Sequence, residues 1–169
     1  MNQHRPVVTA YDEDFYAWTQ HQADLLRQLE QAGLELPVPV DLAHLAEEVA
    51  DLGKSELRGT TSLIRNIMVH LIKAASDPRT EAVNHWRSEA TAFQADLPAY
   101  FTPSMRQLID LDKLWNRARA MAEANLRKHG RSLSSNVPVA CPYTLADLMA
   151  EEFDFDGSLV RLLPEPPAE

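Results

Sequence analysis

Apolar residues between Asp41 and about Ala75 recur with the period of a helix. Advancing from Leu42 by about 100° per residue gathers Leu45, Ala46, Val49, Leu63, Ile64, Ile67, Leu71 and Ala74 on one face. That spacing predicts a single amphipathic helix and excludes a strand. Asp41 suits its N-cap, because a carboxylate there can accept from the free amides of the first turn. The helix would span roughly 50 Å at about 1.5 Å per residue. Ordinary helices are about a third as long, so this one has room for two packing sites in series.

The stripe is interrupted halfway. Between Val49 and Leu63 the same face presents Gly53, Glu56 and Thr60, with Gly59 at its edge. A carboxylate directed inward must be paired, protonated or reached by water. Each glycine weakens the helix by about 1 kcal/mol relative to alanine and permits a bend or the close approach of another backbone. Two readings stay open. One is a local hinge, with Glu56 emerging at a gap between packed helices. The other is a specific polar layer in which Glu56 and Thr60 supply the acid and the hydroxyl, and Arg119, or Arg87 beside Trp86, supplies the base.

Further elements fall on either side. Residues 1–10 lack periodicity and are expected to be a flexible arm. A first helix is predicted from about Asp12 to Ala32, with Tyr11, Phe15, Trp18, Leu25, Leu26 and Leu29 as its inward stripe and Gly33 as its stop. Asp12, Glu13 and Asp14 would occupy its first turn, where the helix dipole favours negative charge. Leu34–Val40, with two prolines, is an extended connector expected to lie against the helices. A third helix is expected over about Thr80–Leu97, with Val83, Trp86, Ala90, Phe93 and Leu97 inward and Pro98 ending or kinking it. Thr102 and Pro103 suit the cap and first turn of a fourth helix running to about His129 and closed by Gly130. Its inward residues would be Met105, Leu108, Leu111, Trp115, Ala118, Ala122 and Leu126. A loop over residues 131–143 and a short helix over Leu145–Glu152, capped by Thr144, complete the pattern.

The fold class is therefore all-α: a bundle of four main helices built around one long central helix, plus a short C-terminal helix. The domain limits expected are a single helical domain over residues 11–156 and a flexible tail over 157–169. The loops joining the last three long helices are short, so those helices should be antiparallel neighbours. The N-terminal half of the central helix needs other cover, from helix one, the last short helix or a second copy of the chain.

LAEEVADLGKSE followed by LIRNIMVHLIKA resembles the bacterial family catalogued as domain of unknown function 29. Three later pieces are similar to it in the expected order: HWRSEA, TPSM, where the family tends to have Ser-Pro-Ser-Leu, and CPYTLADLM. Together they run from about Tyr11 to Phe153. The resemblance implies an all-helical bacterial domain without an established activity, and it carries over no catalytic residue.

Charge sharpens the picture. The formal net charge is −9, and residues 1–56 hold three Lys/Arg against eleven Asp/Glu. Residues 103–131 hold seven against three, and the segment from Ser132 holds one against seven. An acidic chain opposes nucleic-acid binding, including by the Arg-rich fourth helix. The basic segment is expected to pair with the acidic half of the same molecule, or else to meet an acidic partner. The sequence shows no signal-peptide pattern and no uncharged run long enough for a membrane span. One cysteine, Cys141, fits a reducing cytoplasm.

Catalytic chemistry is sparse. His44 and Glu48 share a helical spacing used by metal ligands, yet two ligands are too few. Glu48 and His70 would lie about 33 Å apart on a continuous helix. A three-histidine site would need His21, His70 and His85 to converge. No Glu-x-x-His pattern, nucleophile elbow or phosphate loop occurs, so neither a metal nor a cofactor is expected. Cys141 before Pro142 reads as structural, and Trp18, Trp86 and Trp115 read as core. The first functional expectation is a cytoplasmic protein-binding module without catalysis, acting on an unknown protein partner or on itself as a homodimer. The second is a small-molecule binder or enzyme using the polar layer of Glu56, Thr60, Trp86, Arg87 and Arg119.

Overall fold

A computed structural model describes residues 11–33 and 38–164. The expected arm, residues 34–37 of the connector and residues 165–169 of the expected tail lie outside the described residues. The α-helices are α1 (Phe15–Gln31), α2 (Leu42–Ser76), α3 (Thr80–Tyr100), α4 (Leu111–Lys128), α5 (Leu145–Leu148) and α6 (Phe155–Val160), with a 3₁₀ turn at Pro103–Gln107. No strand occurs among the described residues.

α2 is unbroken through its 35 residues, glycines included. Asp41 caps it, its carboxylate accepting from the His44 N–H at 3.1 Å. The chain divides into two compact units: Met1–Gly59 with Phe101–Leu108, and Thr60–Tyr100 with Ile109–Glu169. The physical reason is length: α2 gives its first half to the first unit and its second half to the other.

In the first unit, α1 runs antiparallel to the first half of α2. Gln20 Nε2 donates to the Ala50 carbonyl at 3.1 Å, and Leu29 and Glu30 at the other end of α1 line one cavity with Leu42 and Ala43. The seam consists of small residues: Thr19 and Ala23 on α1, Ala46, Ala50 and Gly53 on α2, all buried. At Gly53 the side chains of α1 leave no room for even a methyl group. A Cβ built on it would sit 2.1 Å from Thr19 Oγ1. That hydroxyl is itself satisfied, donating to the Tyr16 carbonyl at 2.7 Å. The stripe expected to point inward on α1 therefore does not form the seam.

α1 starts later than its charge pattern suggested. Asp14 is its N-cap, accepting from the Ala17 N–H at 3.0 Å, so no acid remains in the first turn. The same carboxylate accepts the Ser104 N–H and hydroxyl, each at 2.7 Å, which ties the 3₁₀ turn to α1. Burial alone would raise the Asp14 carboxyl; the donors from Ala17 and Ser104 outweigh it and hold the group below the usual carboxylate range. Gly33, at φ 61°, closes α1. Val38 and Val40 stand exposed, contrary to the packed connector expected, and Val40 lines the same open cavity as Leu29 and Leu42.

In the second unit the remainder of α2 packs antiparallel to α3, with His70 stacked on Phe93 and Lys73 over Trp86. The core includes Ile64, Ile67, Met68, Leu71, Trp86, Ala90, Leu97, Trp115 and Ala118. α3 continues past Pro98 to Tyr100. The fourth helix is shorter than expected. Thr102 gives the turn at Pro103 no side-chain cap, and Leu108 is exposed. Asp110 starts α4 afresh by accepting from the Lys113 N–H at 2.9 Å.

A capping box on Thr144 and Asp147 holds α5, which ends at Leu148 rather than Glu152. Residues 157–164 are not a loose tail. Asp154 caps α6 through the Gly157 N–H, Phe155 and Leu162 are buried, and Tyr143 donates to the Ser158 carbonyl at 2.9 Å.

Gly53→Ala should destabilise by about 1–3 kcal/mol through overpacking, despite a helix-propensity gain of about 1 kcal/mol. Urea unfolding checks this. Thr19→Ala in the same chain should recover part of the loss, because the clashing oxygen is gone.

Candidate functional site

A seam of small residues leaves the large ones with nothing to pack on. Measured around each helix from that seam at about 100° per residue, Leu25 and Leu29 on α1 and Leu45 and Leu52 on α2 lie roughly 80–120° to one side. In an antiparallel pair, offsets of the same rotational sense fall on the same side. The first unit thus presents one apolar face built from both helices. Its four leucines are 37%, 43%, 44% and 54% exposed in chain order. Trp18, Leu26, Leu42 and Val49 border it, half-buried. At one end Tyr11, Phe15 and Trp18 form an aromatic cluster with centroids 4.8–5.9 Å apart.

The surround is acidic. His44, fully exposed, is raised above its ordinary range by its hydrogen bond to Asp41 and then by the charges of Asp41, Glu47 and Glu48. Of the cations here, Arg27 and Lys54 are already held by Asp24 and Asp51, each within its own helix.

Glu56 lies in this unit, on the same side of α2 as Leu45 and Leu52. It is half-exposed and makes no ion pair among the described residues. The other four residues of the expected polar layer belong to the second unit. There Thr60 is fully buried, and Trp86 is buried beneath Lys73, whose ammonium lies 4.8 Å from the ring centroid. Arg87 is engaged by Asp156 at 2.6 Å and by Asn84 at 2.6 Å. Arg119 is half-buried, its Nε enclosed without a hydrogen-bond partner among the described residues. Trp86 and Arg87 are thus neighbours on α3 with separate partners.

Other chemistry is scattered. His70 and His85 share the second unit, with the charge of His85 acting on His70, whereas His21 belongs to the first. Among the described residues no three His, Cys, Asp or Glu side chains are grouped to hold a metal ion. Burial pushes the Cys141 thiol up, and its Sγ donates to the Tyr143 carbonyl, as suits a residue fixing a turn. No helix among the described residues is long and apolar enough to cross a membrane.

The leucine face was missed in the sequence because Leu25, Leu29 and Leu45 were placed inward and Leu52 was assigned to no face. The signal that could have found it is the spacing of the small residues: Thr19 and Ala23 four apart, then Ala46, Ala50 and Gly53 at steps of four and three.

The model of the family described as Domain of unknown function DUF29 matches residues 10–154, stopping just before α6. A crystal structure of an alpha-helical protein of unknown function from Rhodospirillum rubrum is 37% identical to the chain, with a TM-score of 0.86. The match covers 92% of this chain and 99% of that one. No curated protein matches.

Two expectations follow. Glu56→Gln should change unfolding free energy by no more than about 0.5 kcal/mol in urea titrations, as for a surface position. His70 is held neutral, its pKa lowered from 6.5 to about 4 by burial, then by Lys73 and His85. Its stabilisation is complete above about pH 6.5 and is withdrawn as pH falls toward 4. His70→Phe should therefore lose less melting temperature than the parent chain between pH 6.5 and 4.5.

Proposed function

The chain belongs to the family described as Domain of unknown function DUF29, and from that premise, which brings no activity with it, we propose that it is a protein-binding helical module. Its docking surface is the apolar face of the α1–α2 hairpin. The observation that supports this reading is the exposure of Leu25, Leu29, Leu45 and Leu52 on one side of a hairpin whose own seam is already closed. Isolated exposed leucines are ordinary on proteins, but several gathered on one side, with half-buried apolar neighbours, mark an interaction surface. Burying a leucine fully contributes about 1.5–3 kcal/mol, so a partner covering this face gains more than the folded monomer does from leaving it wet.

The catalytic alternative has weaker support. Its acid, Glu56, belongs to the first unit and the expected bases on α3 and α4 to the second, and Arg87 already has a carboxylate. The working compartment is proposed to be the cytoplasm, on the support of the lone thiol Cys141.

Leu45→Ser with Leu52→Ser tests the reading. Both positions are exposed, so the variant should keep its fold and its unfolding free energy within about 1 kcal/mol. Parent and variant are immobilised in parallel and challenged with lysate of the source cell, while light scattering reports self-association. A protein, or a second copy, retained by the parent and lost by the variant is the expected result. Identical retention and identical mass for both would contradict it.

A further inference from the structure

Charge around the hairpin face is distributed unevenly, and that asymmetry says what kind of helix the face takes. Residues 11–59 carry eleven Asp/Glu against three Lys/Arg. Around α2, Glu56 falls within the leucine stripe, between Val49 and Leu45 in azimuth, and Glu48 lies just beyond Leu52 at its outer edge. They are eight residues apart, about 12 Å along the axis. Neither makes an ion pair among the described residues. The corresponding rim on α1 carries His21 and Gln28, which place no carboxylate there. The face therefore carries its acids on α2 alone, one within the leucine stripe and one at its outer edge, and none along its α1 edge.

Resting on the docking reading above, we infer that the occupant is an amphipathic helix of another protein, with an apolar stripe and basic residues on the side that lies over α2. Two like copies of this face would bring their Glu48 and Glu56 carboxylates into a shared apolar contact, where like charges oppose association. A basic side instead meets both carboxylates at once. Two Lys or Arg side chains seven or eight residues apart on the partner helix match their separation. The same acidic field opposes an anionic lipid surface or nucleic acid.

Synthetic peptides of about three heptads serve as probes for the full chain, measured by fluorescence anisotropy. One carries a leucine stripe with lysines along one side. A second has glutamates in place of the lysines. A third keeps the lysines but replaces the leucines with serine. The first should bind about tenfold or more tighter than either of the others, with the preference shrinking as salt rises.

Glu48→Lys with Glu56→Lys should weaken the first peptide about tenfold. Glu47→Lys with Asp51→Lys, an equal charge change on the opposite side of α2, should weaken it less than about twofold. Circular dichroism confirms that both variants are folded.

Equal binding of the lysine and glutamate peptides would overturn the basic-side inference while leaving the docking reading intact. So would equal losses from the two charge variants, or binding of the serine peptide as tight as that of the first. No peptide binding in a chain that self-associates through Leu45 and Leu52 would replace the partner helix with a second copy. No peptide binding in a strict monomer would overturn both readings.

Discussion

The close contact of Gly53 with Thr19 sets the geometry of the first unit. Two helices can approach this closely only where side chains are small, and Thr19, Ala23, Ala46, Ala50 and Gly53 form such a track. Dispersion and exclusion of water are gained along the track. Gln20 fastens it with a donor to the Ala50 carbonyl. The consequence is geometric: leucines that follow the helical period beside the track are left on an outer surface. Apolar exposure here is the by-product of a tight seam, and it gives the hairpin a face that another helix can cover.

α2 carries this arrangement into a second environment without interruption. Its later half is packed in the ordinary way, with large residues inward. Ile64, Ile67, Met68, Leu71 and Ile72 are fully buried, and aromatic residues of α3 lie against it. Several polar groups near that core are individually satisfied. Gln94 donates to the Ala150 carbonyl, the Trp115 indole N–H to Pro138, and Asp77 draws in Arg79 and Arg131. One helix thus combines a half built for internal stability with a half whose large residues remain available. Family membership and the 37%-identical helical neighbour extend across the same span, so the architecture belongs to more than one sequence.

Much of the fold was legible because the signals were local. The extent of α2, the Asp41 cap, the Gly33 stop and the antiparallel pairing of α3 with α2 all follow from periodicity, capping chemistry and loop length. What failed had a common cause: periodicity tells that a helix has an apolar side but not which part of that side meets another helix. Leu25, Leu29 and Leu45 were placed inward on hydrophobicity alone, whereas the tight contact at Gly53 decided otherwise. Asp110 competed with continuation of the fourth helix by capping a new one, and the short α6 was hidden because its buried residues, Phe155 and Leu162, flank a single turn and a half. Glu56 was singled out as an acid on an apolar stripe, but sequence could not say that the stripe there is an outer one.

Solvent paramagnetic relaxation of methyl groups, recorded by NMR on the purified full chain, tests the central claim directly. A soluble paramagnetic probe should broaden the methyls of Leu45 and Leu52 strongly, and those of Leu25 and Leu29 to a similar degree, while the methyls of Ala23, Ala46 and Ala50 stay sharp. Protected leucines beside broadened alanines would mean that the helices meet through their large residues, and the outer face would not exist.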